Sequence, residues 1–258
     1  MNESKWTWII LDSWTMTQRT LKHIFRNIES LMMSIGLPIA LMLMFVYIFG
    51  GAIDTGTSYI NYVVPGVIVT CVAFGSSLVA VEVADDMTGG LFERFRTMPI
   101  LPSALLAGHV IGGMARNGLA TAITILVAVI IGFRPTAGLL EWLGVVGILA
   151  LFMFAASWLF VLFGLIVKSV ETANAITFPM LFLPYLSSAF VPTETMPKWL
   201  HTFAENQPMT PFIESLRSLL TGTPLHNNVW ITIIWFIGLL IFSIIGATIV
   251  FNRKKKRK

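Results

Sequence analysis

Runs of about 20 apolar residues alternate along this chain with shorter polar connections. A helix of that length, rising about 1.5 Å per residue, can cross the roughly 30 Å hydrocarbon layer of a membrane. The pattern predicts six spans, and the start of the third is indistinct because His109 and Arg116 interrupt its apolar run. The predicted spans are residues 31–51, 60–83, 110–133, 139–167, 172–191 and 229–251.

The composition points to the same class of protein. Apolar residues make up 56% of the 258 residues and charged residues only 12%, whereas a soluble globular protein carries about 25% charged residues. The mean hydropathy is +0.81. A single cysteine, Cys71, excludes an intrachain disulfide framework and a Cys-based zinc site. We therefore predict an all-α polytopic membrane protein that forms one domain over residues 1–258.

The distribution of basic residues predicts the orientation of the spans. All but three of the 17 Lys and Arg residues lie before the first span, between the second span and the indistinct start of the third (where Arg116 is counted), after the fourth, or in the tail at 252–258. Because cytoplasmic loops carry the excess of Lys and Arg, both termini are expected in the cytoplasm. We interpret the basic tail as an orientation signal that contacts anionic lipid rather than as a nucleic-acid-binding segment. The three exceptions are Arg134, Lys198 and Arg217.

The segment before the first span, residues 1–30, has the pattern of an amphipathic helix. Its apolar positions recur every three or four residues, at Leu11, Trp14, Leu21, Phe25 and Ile28. Such a helix is expected to lie in the cytoplasmic membrane interface. It would act either as a passive anchor or as a helix that also helps to seat a cytoplasmic partner.

The connection at 84–102 is amphipathic although a loop between spans need not be. Within it, a glycine pair and two prolines delimit a short predicted helix whose apolar face carries Leu91, Phe92, Phe95 and Met98. Such a helix would present two aromatic rings to a groove on another protein, or it would lie flat on the bilayer.

The external connection at 192–228 is too long for a turn. Pro211 begins a predicted short helix, PFIESLRSLL, which ends at Gly222 in a C-cap position. We expect its apolar residues to face the membrane or the fifth span, and Glu214 and Arg217 to face water. The connection forms either a re-entrant hairpin or plain surface structure.

Motifs for catalysis and metal binding are absent from the sequence. It has no HExxH, no GxSxG and no phosphate-binding GxxxxGK[ST], and its four histidines are scattered. We therefore predict no catalytic residue, no metal site and no cofactor held by this chain.

We interpret His109 as an interfacial residue. No deeply buried charge is expected within the spans, which argues against ion-driven transport. The acidic cluster at the cytoplasmic mouth is interpreted as a solvated loop that contains Glu82, Asp85, Asp86 and Glu93.

Several stretches together resemble the type-two ABC export permeases, the branch that includes the daunorubicin-resistance permeases. GGLFERFRTMPI resembles the cytoplasmic signature of that family, and YINYVVPGVIV resembles the start of its second span. FVPTETMPKWLHTFAENQPMTPFIESLRSLLTG resembles its external segment. The order of these stretches, and the predicted side of the membrane on which each lies, strengthen the resemblance, which covers nearly the whole chain.

The resemblance implies a half-transporter with six transmembrane helices, an N-terminal interfacial helix, a cytoplasmic coupling helix and an external re-entrant segment. Two such permeases, identical or different, would meet at a central pathway in a bacterial plasma membrane. Two copies of a separate ABC ATPase subunit would bind ATP and Mg²⁺ beneath them. The residues that the resemblance assigns to docking of the ATPase are Gly90, Leu91, Phe92, Glu93, Arg94, Phe95, Arg96 and Pro99.

The cargo implied by the resemblance is a small hydrophobic or amphipathic compound of the drug type. The few polar residues inside spans two and five would serve helix packing or line the pathway. Our hypothesis is that the pathway is lined by Phe74, Ser77, Asn174, Thr177 and Leu181.

Two alternatives remain open from the sequence. One is an exporter of polysaccharide or lipid-linked glycan from the same superfamily, and the other is an accessory membrane protein that does not transport. ATP turnover by a partner that depends on substrate would separate a transporter from an accessory protein.

Overall fold

The structure is a computed structural model that describes residues 28–53, 55–90, 102–225 and 227–256. Almost all of the predicted interfacial helix at 1–30 and residues 91–101 of the predicted coupling loop lie outside these residues. The described ranges consist of helices and their connections and contain no strand. This agrees with the predicted all-α class.

Eight α-helices follow one another along the described ranges. They are α1 Ile28–Met44, α2 Tyr59–Thr88, α3 Pro102–Ile130, α4 Leu139–Ile166, α5 Val170–Thr177, α6 Lys198–Asn206, α7 Met209–Thr221 and α8 Asn228–Lys256. A π-helical turn, Phe45–Phe49, continues α1, and a 3-10 helix, Phe178–Leu186, continues α5. A short 3-10 turn, Thr193–Thr195, precedes α6.

Four stretches of the described helices are long and apolar enough to cross a membrane. They are Tyr59–Thr88, Leu106–Ile130, Leu139–Ile166 and Asn228–Arg253. A shorter apolar helix, Ser34–Phe49, lies in the first predicted span. The third helix is already formed at Pro102, the first described residue after position 90, so it extends before the 110 predicted for its span.

The fifth predicted span, 172–191, is divided between two kinds of helix. Pro179 and Pro184 have no N–H to donate to a carbonyl four residues earlier, so the chain tightens into the 3-10 helix. An α-helix rises about 1.5 Å per residue and a 3-10 helix about 2.0 Å. The 8 residues of α5 and the 9 residues of the 3-10 helix therefore extend about 30 Å together.

Helix α2 lies at the centre of the fold. It packs against α1, α3, α4, α5 and α7. Its middle is an almost continuous buried run of small and β-branched residues, from Val63 to Ala73. A helix that is apolar on every face is expected to be surrounded by other helices. Its N-terminal end is attached to the connection after the 3-10 helix, because the Tyr59 hydroxyl donates to the Phe190 carbonyl at 3.0 Å.

Glycines allow neighbouring elements to approach α2 closely. A Cβ on Gly164 of α4 would lie 2.6 Å from the Ala80 carbonyl oxygen and 2.8 Å from Val83 Cβ. A Cβ on Gly66 of α2 would lie 2.7 Å from Ala189 Cα. Small residues at helix contacts let backbones approach where no hydrophobic effect drives association in lipid.

Helix α7, in the predicted external connection, is buried among α2, α4 and α8. It ends at Gly222, whose left-handed φ of 72° is the C-cap conformation that the sequence predicts. Phe212 of α7 packs against Phe152 of α4 and Phe236 of α8, with ring centroids 4.7 and 5.1 Å away. Three helices therefore meet in one aromatic cluster.

The close contact of α4 with α2 generates a stability prediction. We expect Gly164→Ala to destabilise the protein by about 1–3 kcal/mol, because the added methyl group overlaps the Ala80 carbonyl and Val83. Thermal unfolding of the purified protein in detergent measures this effect. Gly147→Ala is the matched control on the same helix, since nothing lies within 4 Å of its added Cβ. Equal unfolding midpoints for the two variants would contradict the prediction.

Candidate functional site

The coupling residues predicted from the sequence begin where α2 ends. Gly89 donates its N–H to the Asp85 carbonyl at 2.7 Å. Gly90 has a φ of +71°, in the left-handed region where glycine carries no steric penalty. The remaining predicted coupling residues, Leu91, Phe92, Glu93, Arg94, Phe95, Arg96 and Pro99, lie outside the described residues, and their role stays a prediction.

Ionisable side chains join α2 to α3 next to this segment. His109 Nε2 lies 3.0 Å from Asp86 Oδ2, and His109 Nδ1 lies 3.8 Å from Glu82 Oε2. The Arg116 guanidinium donates to Glu82 through Nη1, and through Nη2 to the Gly75 carbonyl at 2.9 Å. Two carboxylates thus face one guanidinium and one imidazole. We call Glu82, Asp86, His109 and Arg116 the ionic ladder.

The helical period explains how the ionic ladder assembles. Glu82 and Asp86 are four residues apart on α2, and His109 and Arg116 are seven apart on α3, so each pair lies on one face of its helix. The two helices run antiparallel, and the faces meet along their length. From Gly75 to Asp86 the polar contact extends about 17 Å along α2, more than half the hydrocarbon thickness.

Close helix approach lets these side chains reach across the α2–α3 interface. A Cβ on Gly113 of α3 would lie 2.6 Å from Val79 Cγ2, and a Cβ on Gly75 of α2 would lie 1.8 Å from Asn117 Oδ1. The Asn117 amide donates to Ser76 Oγ at 2.8 Å. Glycines therefore bring the backbones together, and the polar groups complete the contact.

Burial of the ionic ladder corrects the sequence interpretation. Arg116 is 1% exposed and His109 5% exposed, so the expectation of no deeply buried charge was wrong. His109 is buried between α2 and α3, and Glu82 and Asp86 do not belong to a solvated loop, because both carboxylates pair with α3. Asp85 is exposed as expected. The cause is tertiary: antiparallel packing of α3 on α2 gives each charge an opposite partner.

The sequence does contain a signal for the ionic ladder. A charge inside an apolar span must be paired, because the bilayer offers it no water. His109 and Arg116 interrupt one span, and acids at matching helical spacing end the preceding span. Considered together, these two observations predict the pairing, whereas each position taken singly suggests only an interfacial residue.

The five predicted pathway residues lie on α2, on α5 and on the 3-10 helix, and α2 contacts both of the other two. Ser77 is buried and donates to the Phe74 carbonyl at 2.7 Å, and Thr177 is buried and donates to the Asn174 carbonyl at 3.1 Å. Phe74 and Leu181 are half-buried, and Asn174 is exposed. Both hydroxyls thus bond within their own helices. Asn174 presents a polar side chain on the outer surface of α5.

A second buried charge holds the external segment in place. Arg217 of α7 donates through Nη2 to the Tyr62 carbonyl at 3.1 Å and to the Ser188 carbonyl at 2.7 Å. Its guanidinium also pairs with Glu214 and lies 3.8 Å from the centroid of the Tyr62 ring. One side chain therefore joins α7 to α2 and to the connection after the 3-10 helix.

The position of Arg217 is another correction to the sequence analysis. It was expected on the wet side of its helix, but it is only 8% exposed because α2 covers it. Arg217 and Glu214 line a cavity of about 510 Å³ together with Tyr62, Ser188 and Glu194. The periodicity of α7 alone could not reveal that carbonyl groups from two other segments converge on this arginine.

The described residues hold no group of three His, Cys, Asp or Glu side chains that could bind a metal ion. The ionic ladder and the Arg217 site consist of contacts that side chains form with one another and with backbone carbonyls. One lies toward the predicted cytoplasmic end of α2 and the other at its predicted external end.

Comparison with known families and proteins identifies the relatives of this chain. The family described as "ABC-2 type transporter" matches residues 12–221. A daunorubicin resistance ABC transporter permease protein from Streptomyces coeruleorubidus is 31% identical over 249 residues, which cover 92% of this chain and 84% of that protein.

Two further relatives come from Mycobacterium tuberculosis. A probable doxorubicin resistance ABC transporter permease protein, DrrC, is 24% identical over 245 residues, covering 92% of this chain and 87% of that protein. A doxorubicin resistance ABC transporter permease protein, DrrB, is 27% identical over 270 residues, covering 93% of this chain and 89% of that protein. Each match extends across nearly the whole chain.

The Arg217 site generates a prediction about the external segment. We expect Arg217→Met to destabilise the protein by about 3 kcal/mol, because the methionine leaves Glu214 and two carbonyl groups without their shared donor. The shift in thermal unfolding midpoint in detergent measures this effect. Lys198→Met, at an exposed position on α6, is the matched control and should leave the midpoint nearly unchanged. A similar loss in both variants would contradict the role of Arg217.

Proposed function

Since this chain belongs to the ABC-2 type transporter family, we propose that it is the permease subunit of an ATP-driven exporter of small hydrophobic or amphipathic compounds. The observation that carries the proposal is the full-length similarity to permeases whose names include daunorubicin or doxorubicin resistance. The ATPase activity would belong to a separate subunit, in keeping with the lack of a GxxxxGK[ST] motif in this sequence. That subunit would bind ATP and Mg²⁺.

The proposed topology has six spans with both termini in the cytoplasm. Four long apolar helices support it directly by their length and composition. The first span would be formed by α1 with its π-helical turn, and the fifth by α5 with the 3-10 helix. The buried α7, seated by Arg217, fits the proposed external re-entrant segment, which would act as the outer gate. The amphipathic residues 1–30 would lie in the cytoplasmic interface.

The proposed coupling runs from the ATPase to the spans through residues 90–99. This segment connects α2 to α3, so a displacement of it acts on the cytoplasmic ends of both helices. Closure of two ATPase subunits on ATP would push this coupling segment and the interfacial helix. The push would shift spans two and five of each of two permease copies, in a bacterial plasma membrane.

The proposed pathway lies between spans two and five. Phe74, Ser77, Asn174, Thr177 and Leu181 supply apolar and neutral polar surface, which suits cargo without a strong charge. The exposed amide of Asn174 supports this choice, because a polar side chain on the outer surface of a membrane helix favours contact with water or protein over lipid.

The coupling proposal predicts the loss of a partner. The chain carries an affinity tag and is purified from its native membrane in mild detergent, and the bound proteins are identified by mass spectrometry. We expect a soluble ATPase at about one copy per permease. We expect at least a roughly tenfold loss of that ATPase in a Phe92→Asp/Phe95→Asp variant, because charges replace two aromatic anchors. Phe92→Leu/Phe95→Leu is the matched control that keeps the surface apolar. Purification of folded permease without any ATPase would favour an accessory role.

The pathway proposal predicts a pattern of thiol accessibility. Single cysteines replace each of the five pathway residues in a Cys71→Ser background and are exposed to a membrane-impermeant maleimide with and without ATP. Pathway positions should react roughly tenfold or more faster than a cysteine at Ile234, which lies on the exposed apolar face of α8, because thiols in lipid do not ionise. Five positions that all react as slowly as the Ile234 position would refute the assignment.

A further inference from the structure

We propose that the ionic ladder holds α2 and α3 in fixed register, so that movement of the coupling segment reaches the pathway as a rigid displacement of both helices. Glu82, Asp86, His109 and Arg116 are then positioning residues for transport. The inference rests on the proposed function, since it concerns how that permease would be driven.

The location of the ionic ladder is the first support. Asp86 lies four residues before Gly90, where the predicted coupling residues begin, and His109 lies seven residues after the start of α3. Both helices that flank the coupling segment are therefore joined by charge close to the point where a force on that segment would enter them.

The physical nature of the contact is the second support. Packed helices slide past one another by small shear movements when their contacts are apolar and interchangeable. Sliding α3 along α2 would separate His109 from Asp86 and Arg116 from Glu82 in surroundings where charges interact strongly and water is scarce. The hydrogen bond from Arg116 to the Gly75 carbonyl extends the same restraint toward the middle of the membrane.

The contrast with the contact between α2 and the beginning of α5 is the third support. Two residues before Asp86, Ala84 of α2 packs in a small apolar cluster with Ala173 of α5 and with Val167, which lies between α4 and α5. Such a contact lets α5 move relative to α2 without breaking an ion pair. The α2–α3 pair would then move as one body against α5, which is the movement that opens or closes a pathway between spans two and five.

The test compares neutralising variants in a working complex. The complex of tagged permease with its ATPase is placed in inverted vesicles, where ATP hydrolysis and uptake of doxorubicin, used as a fluorescent probe, are both measured. We expect Asp86→Asn and Glu82→Gln to lower the doxorubicin moved per ATP roughly fivefold or more. The amount of bound ATPase and the hydrolysis rate should stay close to those of the wild-type complex. Asp85→Asn, at the neighbouring exposed acid, is the matched control and should transport normally.

A cross-linking experiment distinguishes a positioning role of Asp86 and His109 from a purely local effect of replacing them. In the Cys71→Ser background, Asp86→Cys/His109→Cys removes two ladder residues and places thiols where the side chains met. A short bifunctional maleimide that joins them should restore most of the lost transport per ATP, because it again links the two helices. The same reagent on Asp85→Cys/His109→Cys should restore none.

The outcomes test the positioning role of the ionic ladder separately from the proposed function. Unchanged transport per ATP in Asp86→Asn and Glu82→Gln, or a cross-linked pair that regains no transport, would overturn the positioning role. If a neutralised variant does not fold, as judged by gel filtration in detergent, transport by the cross-linked variant alone tests the positioning role. A wild-type chain that recovers no ATPase would instead contradict the proposed function.

Discussion

A membrane interior offers no water to a charged side chain, so each charge placed there must find its partner within the protein. This constraint determines how α2 is held. Toward its predicted cytoplasmic end the guanidinium of Arg116 and the imidazole of His109 meet two carboxylates of α2. At the opposite end Arg217 donates to the Tyr62 carbonyl. The central helix is thus joined by charge at both ends, while apolar and glycine contacts surround its middle.

The two charged contacts connect different parts of the fold. The ionic ladder joins consecutive helices on either side of the predicted coupling segment. Arg217 joins segments far apart in sequence, since its two carbonyl partners come from α2 and from the connection after the 3-10 helix. A force applied at the coupling segment would act first on the α2–α3 pair. Helix α7 packs against the same α2, so one central helix connects the ionic ladder with the Arg217 site.

Because this chain belongs to the ABC-2 type transporter family, the charged contacts of α2 can be related to transport. An exporter driven by a separate ATPase needs a surface that receives the force, an element that transmits it and a contact at which helices can move relative to each other. In the proposed mechanism, residues 90–99 receive the force and the α2–α3 pair transmits it. The helices then slide past each other at the apolar contact of α2 with α5. The 3-10 helix that contains Pro179 and Pro184 lengthens the fifth predicted span. Each of its residues advances farther along the helix axis than a residue in an α-helix.

The sequence by itself determined the all-α class, the long apolar helices α2, α4 and α8, the end of α7 at Gly222 and the family. All of these depend on local features: runs of apolar residues, glycine at a left-handed C-cap, and motifs in order along the chain. Only the tertiary structure decided that Arg116, His109 and Arg217 are buried, because a pairing partner depends on which helix packs opposite and in which register. Periodicity assigns a residue to a face of its helix, but the neighbour that covers this face determines whether a charge there meets water, lipid or an opposite charge.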